Sequence, residues 1–184
     1  MTQTFFFDPL ETLVVDIFAW FWIHLGIGYL SSRIPLRWIN SERKFFHAYG
    51  WEKEGQIYER LFHVRSWKHL IPNGSAVYRG AFSIRNLKTM DIAYLERWLK
   101  ESVRAEICHW AMIFPGFLFF LWNNVVMGWL MVIYAFLNNA VPIIMQRFNR
   151  PRMRKLLVQL KRQHEQKGEK TFYVQQPALS HTYK

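Results

Sequence analysis

Two short polar clusters contain the side chains of this sequence that are best suited to chemistry. The first covers residues 101–110 and includes Glu106 and His109, and the second covers residues 146–152 and is rich in arginine. Residues three apart on a helix share a face, so the Glu106 carboxylate can hold the His109 imidazole in one tautomer and raise its basicity. Such an imidazole can accept the proton of an attacking hydroxyl group.

Arginine and amide side chains near this pair are suited to binding an acidic substrate or a developing negative charge. Arg104 is a candidate for binding a phosphate or a carboxylate, and Arg147 for holding the phosphates of a coenzyme donor. Two alternatives stay open, because Glu101 and Arg104 can form an ordinary surface ion pair and arginines at a membrane boundary commonly bind anionic headgroups.

A fold-back through a membrane would bring the two clusters to the same face. Residues 111–145 contain no Lys, Arg, Asp or Glu. They predict spans over about residues 107–122 and 125–145, joined by a turn at Asn123-Asn124. The first span is short, roughly 24 Å long against a hydrocarbon core of about 30 Å. It therefore starts earlier in the chain or bends at Pro115-Gly116.

A helical stripe connects the first cluster to the predicted interior. Its members advance by alternating steps of three and four residues, which places them on one helix face. The apolar members predict that this face is buried, so the Glu106 and His109 side chains point inward as well. The stripe consists of Ile92, Leu95, Leu99, Ser102, Glu106, His109 and Ile113.

Composition and the distribution of charge predict a membrane protein. The chain has 184 residues, is 51% hydrophobic and 18% aromatic, and carries a net charge of +11. All of its Lys and Arg residues lie within residues 33–104 and 147–184. The positive-inside rule places both segments in the cytoplasm, and a further span over about residues 10–30 places the N-terminus outside. A soluble nucleic-acid binder needs no such segregation, so we expect no nucleic-acid partner.

We therefore predict an all-α integral membrane protein with three transmembrane helices and cytoplasmic amphipathic helices. Residues 1–184 form a single membrane domain in this prediction. An amphipathic helix, lying at the interface or packing on the spans, is expected over residues 54–65, and a basic amphipathic helix is expected to begin near Asn149-Pro151. These surfaces predict contact with anionic inner-leaflet lipids at the cell membrane. The sequence does not determine the oligomeric state.

Three further side chains within the predicted spans have two interpretations each. Asp16 and His24 are costly in hydrocarbon, so each faces a partner or a cavity, unless Asp16 simply lies near the outer interface. Cys108 is the single cysteine, which excludes an intrachain disulfide and a cysteine-based zinc site. It is either a small buried hydrophobe or a reactive thiol. We expect no metal ion and no cofactor.

Three motifs resemble the glycosyl-4,4'-diaponeurosporenoate acyltransferase family, which completes staphyloxanthin-type carotenoids. They are FHVRSWKHLIPNG, KESVRAEICHW and NNAVPIIMQRFNRPRMRKLL, and the resemblance covers roughly residues 26–163. Ser102 and Phe148 are mild departures from the Thr and Tyr that are usual in the family. The positions that match the family pattern are Trp67, Lys68, Glu101, Arg104, Glu106, His109, Trp110, Asn139, Pro142, Gln146, Arg147, Asn149 and Arg150.

The resemblance implies an integral membrane enzyme that esterifies the sugar of a glucosylated C30 carotenoid acid with a fatty acyl chain. His109, Glu106 and Arg104 are then expected to be catalytic, with Arg104 and Arg147 stabilising the oxyanion or binding the donor's phosphates. Asn139 and Gln146 are expected to position the sugar. The full set of expected substrate-binding positions is Trp67, Lys68, Glu101, Asn139, Gln146, Arg147, Asn149 and Arg150. The acyl donor is expected to be a thioester such as acyl-CoA, acting as a co-substrate. Two alternatives are an acyltransferase for another glycolipid and a non-catalytic membrane protein that binds lipid or scaffolds a complex.

Overall fold

The computed structural model describes residues 4–5, 7–71, 82–84, 87 and 89–175, with side chains as far as residue 167. The regular elements of this part of the chain are all helical. Three of the helices are long and apolar enough to cross a membrane, which confirms the predicted all-α membrane fold. The α-helices are α1 (Pro9–Arg33), α2 (Gln56–Phe62), α3 (Val64–Trp67), α4 (Ile92–Ile113) and α5 (Val125–Gln175).

The start of α1 is fixed by a complete capping box. The Asp8 side chain accepts hydrogen bonds from the backbone N–H groups of Leu10 and Glu11, both at 2.9 Å. The Glu11 carboxylate in turn accepts from the Asp8 N–H at 3.2 Å. Pro9 occupies the first turn, where its missing N–H costs nothing, and Pro35 follows the helix end. The predicted span over residues 10–30 therefore lies within one regular helix.

The predicted span over residues 107–122, which is too short to cross the hydrocarbon core alone, is the end of a longer helix. Helix α4 begins at Ile92 and continues into a 3-10 helix over Phe114–Leu121, so that the apolar element covers Ile92–Leu121. The chain then turns and enters α5. Gly128 is required there, because a Cβ atom at this position would lie 2.5 Å from the Phe120 ring.

Helix α5 is continuous, so the prediction of a new helix beginning near Asn149-Pro151 is wrong. It passes through Pro142 and Pro151 and ends at Gln175. A proline at the first turn is typical of a helix start, but Phe148 and Arg150 are almost fully buried just before this point. Their packing keeps the chain helical through Pro151.

Residues 34–71 form a compact segment, here called the cap, between α1 and α4. It contains 3-10 turns at Leu36–Trp38, Lys44–Phe46 and Gly50–Gly55, followed by α2 and α3. The prediction of one helix over residues 54–65 is wrong, because His63 has a φ of 48° and separates α2 from α3. Residues 72–74, for which the sequence Pro-Asn-Gly predicts a tight turn, lie outside the described residues.

The cap is fastened to α5 by close backbone contact and apolar packing. Gly55 has a φ of 86°, and a Cβ atom there would lie 3.1 Å from the carbonyl oxygen of Phe148. Tyr58, Val64 and Phe148 form a buried cluster across this interface. A second cluster of Trp20, Phe119 and Ala135 joins α1 to the hairpin that α4, the 3-10 helix after it and α5 form. The cap therefore contacts the α4–α5 pair at the end away from the turn between these helices.

Candidate active site

A buried ionic network joins the two polar clusters. Arg147 Nε donates to Glu106 Oε1 at 2.9 Å, and Arg150 Nη1 forms an ion pair with Glu106 Oε2 at 2.6 Å. Trp110 Nε1 also donates to Glu106 Oε1, at 3.4 Å. Glu106 is fully buried. The predicted fold-back thus brings Glu106 and the arginine cluster into direct contact.

The cap supplies a second buried carboxylate to this network. Glu52 Oε1 accepts from Arg147 Nη1 at 2.7 Å and from the Tyr58 hydroxyl at 2.9 Å. Burial, followed by the hydrogen bond to Glu52, raises the pKa of Tyr58 well above its usual range, so the phenol keeps the proton that it donates. The sequence analysis missed Glu52, because its partner is 95 residues away and no local pattern marks it.

Arg150 and Ser102 extend the network along α4 and α5. Arg150 donates to the Ser102 side chain at 3.2 Å and to its carbonyl oxygen at 3.1 Å. The Ser102 hydroxyl donates to Gln146 Oε1 at 2.9 Å. Since an ionised carboxylate or guanidinium without a partner is costly in a protein interior, this network requires every one of its charges.

His109 is held by an amide and not by Glu106, so the predicted Glu106–His109 pair is wrong. His109 Nδ1 lies 2.9 Å from Asn139 Oδ1, and Asn139 Nδ2 donates to the Ala135 carbonyl oxygen at 2.8 Å. The second bond fixes the amide orientation and makes Oδ1 the group that faces the imidazole. Nδ1 therefore carries the proton of the neutral ring, and Nε2 is left as a proton acceptor. Both arginines lie nearer to Glu106 and neutralise it.

A cavity of about 1230 Å³ lies between α1, α4, α5 and the cap. His109 forms part of its wall, whereas Glu106, Arg147 and Arg150 do not line it. The end near the hairpin turn is apolar, with Ile17, Trp20, Phe21 and Met112 in its wall. The end near the cap is polar, with Lys68, His69, Glu101, Arg104, Gln146 and Asn149. A chamber that is apolar at one end and charged at the other suits an amphipathic substrate.

Arg104 reaches the cavity wall but binds groups of the chain itself. Its Nη2 lies 2.5 Å from Glu101 Oε2, and its Nη1 donates to the carbonyl oxygens of Ser32 and Ile34 at 3.2 and 3.3 Å. Glu101 is 6% exposed, so this is a half-enclosed ion pair and not the ordinary surface pair considered above. Arg104 thereby joins the end of α1 to α4.

The remaining candidates divide between the cavity and the protein interior. Lys68 and Asn149 line the cavity. Trp67 packs against the cluster around Phe148, and its Nε1 donates to the Phe62 carbonyl oxygen at 2.6 Å. Trp67 therefore positions the neighbouring Lys68 from outside the cavity.

Asp16 has partners, and His24 faces the cavity. Asp16 Oδ1 accepts from Trp122 Nε1 at 2.7 Å and from Asn123 Nδ2 at 2.8 Å, which joins α1 to the hairpin turn. Cys108 lies in the cavity wall, and its thiol contacts Ser31. In the described part of the chain, no group of three or more His, Cys, Asp or Glu side chains is arranged to hold a metal ion.

Known proteins show clear similarity to this chain. The family model for glycosyl-4,4'-diaponeurosporenoate acyltransferase matches residues 42–159. A protein of that name from Staphylococcus aureus (strain MRSA252) is 36% identical over 146 residues, which cover 79% of this chain and 88% of the relative. Its counterparts from strains bovine RF122 / ET3-1 and N315 are 35% and 34% identical over the same length. No solved structure matches the chain.

Proposed function

Since this chain belongs to the glycosyl-4,4'-diaponeurosporenoate acyltransferase family, we propose that it esterifies a sugar hydroxyl of glycosyl-4,4'-diaponeurosporenoate with a fatty acyl group. It is an acyltransferase, and the acceptor is a glycolipid with a long apolar tail. The single observation that carries the proposal for the site is the His109–Asn139 pair in the wall of a cavity with one apolar and one polar end.

His109 acts as the general base in this proposal. Its Nε2 removes the proton from the acceptor hydroxyl as the hydroxyl oxygen attacks the carbonyl carbon of the acyl donor. The tetrahedral intermediate collapses and expels the leaving group, which takes the proton back from Nε2. The products are the ester and the protonated leaving group, and the imidazole returns to its neutral form. Asn139 holds the ring in the required tautomer throughout.

The acyl donor is a thioester, with no metal or cofactor in the chemistry. A thiolate leaves readily from the tetrahedral intermediate, so one imidazole is a sufficient proton carrier for both steps. Lys68 and His69 are cap residues in the cavity wall, where Lys68 supplies a positive charge for the phosphates of such a donor. Arg147 and Arg150 have no part in donor binding here, because their guanidinium groups are engaged with Glu52 and Glu106.

Gln146 is the amide donor for a substrate oxygen. Its Oε1 accepts from the Ser102 hydroxyl, so its NH2 group is the part left for the cavity that it lines. An N–H of this group, aimed at the carbonyl oxygen of the acyl thioester, stabilises the negative charge that develops on that oxygen. Glu106 and Arg104 are then positioning residues: Glu106 fixes α5 through Arg147, and Arg104 fixes the end of α1.

The protein lies in the cell membrane with its N-terminus outside and its C-terminus in the cytoplasm. This orientation is supported by the charge distribution, because every Lys and Arg lies within residues 33–104 or 147–184. The cap exposes Trp38 and Trp51 among basic residues, a combination that suits the headgroup region. Anionic inner-leaflet lipids are the partners of this surface.

Reconstitution tests the proposed function directly. The purified protein in vesicles receives an acyl thioester and the glycosylated carotenoid acid, and the lipids are analysed by mass spectrometry. We expect a new ester whose mass equals that of the acceptor plus the fatty acid less one water. Acylation of a different glycolipid alone would overturn the acceptor assignment, and unchanged lipids would favour the non-catalytic alternative.

A further inference from the structure

A second imidazole–amide pair lies in the cavity wall beside His109. His24 Nδ1 lies 2.8 Å from the carbonyl oxygen of Trp20, and Asn138 Nδ2 lies 3.3 Å from His24 Nε2. A carbonyl oxygen only accepts, so Nδ1 carries the proton and Nε2 accepts from the Asn138 amide. A neutral imidazole satisfies both contacts. His24 therefore fixes which side of the Asn138 amide faces it.

The Asn138 amide keeps unused hydrogen-bonding groups. Within the described residues its side chain makes one hydrogen bond, to His24, which leaves Oδ1 and one N–H. The side chain is exposed and lines the cavity. Pro142 has no N–H to donate to the Asn138 carbonyl, so this backbone oxygen lacks its helical partner too. Polar groups within a membrane span are costly unless they face a partner or a cavity.

The two imidazole–amide pairs lie at the same depth. His24 lies about 22 Å along α1 from Pro9, and Asn138 lies about 20 Å along α5 from Val125, at 1.5 Å per residue. Both values fall within a hydrocarbon core of about 30 Å. Asn139, which holds His109, is the next residue in the chain after Asn138. The Asn138 amide is therefore presented to the cavity beside the proposed base.

The cavity is open to the surface between α1 and α5 at this depth. Ile17 and Phe21 of α1 line the cavity and are 60% and 57% exposed, and Tyr134 of α5 lines it and is 48% exposed. Trp20 forms the floor between them, stacked on Phe119. Because this wall continues into the apolar outer surface of two spans, the opening faces hydrocarbon.

We propose that Asn138, held by His24, binds the sugar hydroxyl of the acceptor lipid and presents it to His109, while the apolar tail leaves the cavity between α1 and α5. The inference rests on the proposed function and names the acceptor site within it. It transfers the sugar contact from Asn139, which is 1% exposed and has both sides of its amide engaged. An amide beside a lipid-facing opening matches a substrate with one sugar and one long apolar chain.

Steady-state kinetics of Asn138→Leu test this placement, since leucine has a similar volume and no hydrogen-bonding group. We expect KM for the glycosylated acceptor to rise about tenfold or more, the loss expected for one hydrogen bond to a substrate, while KM for the acyl thioester is unchanged. His24→Phe leaves the amide in place but unheld, so the acceptor KM rises less. Leu137→Ala is the control, because Leu137 is 60% exposed, adjacent in sequence and outside the cavity wall.

The outcomes separate this inference from the function on which it rests. A wild-type protein that acylates no glycosylated acceptor defeats the proposed function. An active wild type with a normal acceptor KM in Asn138→Leu overturns only the acceptor site. Equal rises in both KM values would show a structural role and also overturn it. If Asn138→Leu does not fold, the acceptor and thioester KM values are compared in Asn138→Gln, which keeps the amide, and in His24→Phe. A normal acceptor KM in both variants would then overturn the acceptor site.

Discussion

Glu106 accepts a hydrogen bond from Arg147 at 2.9 Å across 41 residues of sequence. This contact joins the two polar clusters that precede and follow the predicted hairpin in the sequence. It also removes Glu106 from the proposed chemistry, because its carboxylate is paired with the buried guanidinium groups of Arg147 and Arg150. Glu106 thus sets the register of α4 against α5, and that register places His109 beside Asn139.

Neutralising Glu106 is expected to destabilise the protein strongly. Glu106→Gln keeps the shape of the side chain but leaves Arg147 and Arg150 with one buried carboxylate between them. We expect a loss of about 3–5 kcal/mol, as for breaking a buried ion pair. Thermal unfolding in detergent measures it. Glu54→Gln is the matched control, because Glu54 pairs with Lys155 at the surface and such an exposed ion pair stabilises a protein by less than about 1 kcal/mol. Equal losses in the two variants would disprove the network.

Removing the imidazole of His109 is expected to abolish most acyl transfer. His109→Ala should lower kcat by about 10²–10⁴-fold, the usual contribution of a general base. The measurement is product formation by the purified variant, with circular dichroism to confirm the helical fold. His164→Ala serves as the control, since His164 is exposed near the end of α5. Near-normal turnover in folded His109→Ala would exclude this residue as the base.

Asn139→Leu is expected to slow the chemical step and leave substrate binding intact. The variant keeps the volume but removes the acceptor that holds His109 Nδ1–H, so both tautomers of the imidazole become populated. One lost hydrogen bond predicts a fall in kcat of about tenfold. Both KM values stay at the wild-type level, because Asn139 does not line the cavity. A changed acceptor KM with a normal kcat would assign the residue to the sugar instead.

Gly55→Ala is expected to loosen the cap. The positive φ and the nearby Phe148 carbonyl oxygen both oppose a side chain, so we expect a loss of about 1–3 kcal/mol. Gly50→Ala in the same segment is the control, because nothing lies within 4 Å of a Cβ atom there. Thermal unfolding of the two variants gives the comparison. If Gly55→Ala is as stable as Gly50→Ala, the close contact between the cap and α5 is not required.

The helical stripe on α4 shows how far periodicity alone leads. Leu95, Leu99, Ser102 and Glu106 are all nearly or fully buried, as the spacing predicts. His109 belongs to the same stripe and reaches the cavity wall. Side chains return to the same face of a helix every three to four residues, so the inward face can be predicted from local residue types. The partner of each inward group belongs to another helix, and periodicity carries no information about it.

The errors in the sequence analysis have a common cause. The Glu106–His109 pair, the helix start near Pro151 and the helix over residues 54–65 were all predicted from local spacing. In two cases a contact distant in the chain decided otherwise, through Arg147 and through the burial of Phe148. In the third, the left-handed backbone at His63 divides the predicted helix. Local preferences are worth about 1 kcal/mol each, less than the cost of leaving a buried charge unpaired.

The sequence by itself determined that the chain is helical, that it has three apolar spans, where its charges lie and to which family it belongs, because each of these is a property of composition or short-range order. The tertiary structure alone decided that Glu106 is a buried counterion, that Asn139 holds His109, and that Asn138 and His24 face the cavity. Those assignments depend on which side chains meet across α1, α4 and α5. Such contacts are set by the packing of whole helices, and no stretch of sequence contains both partners.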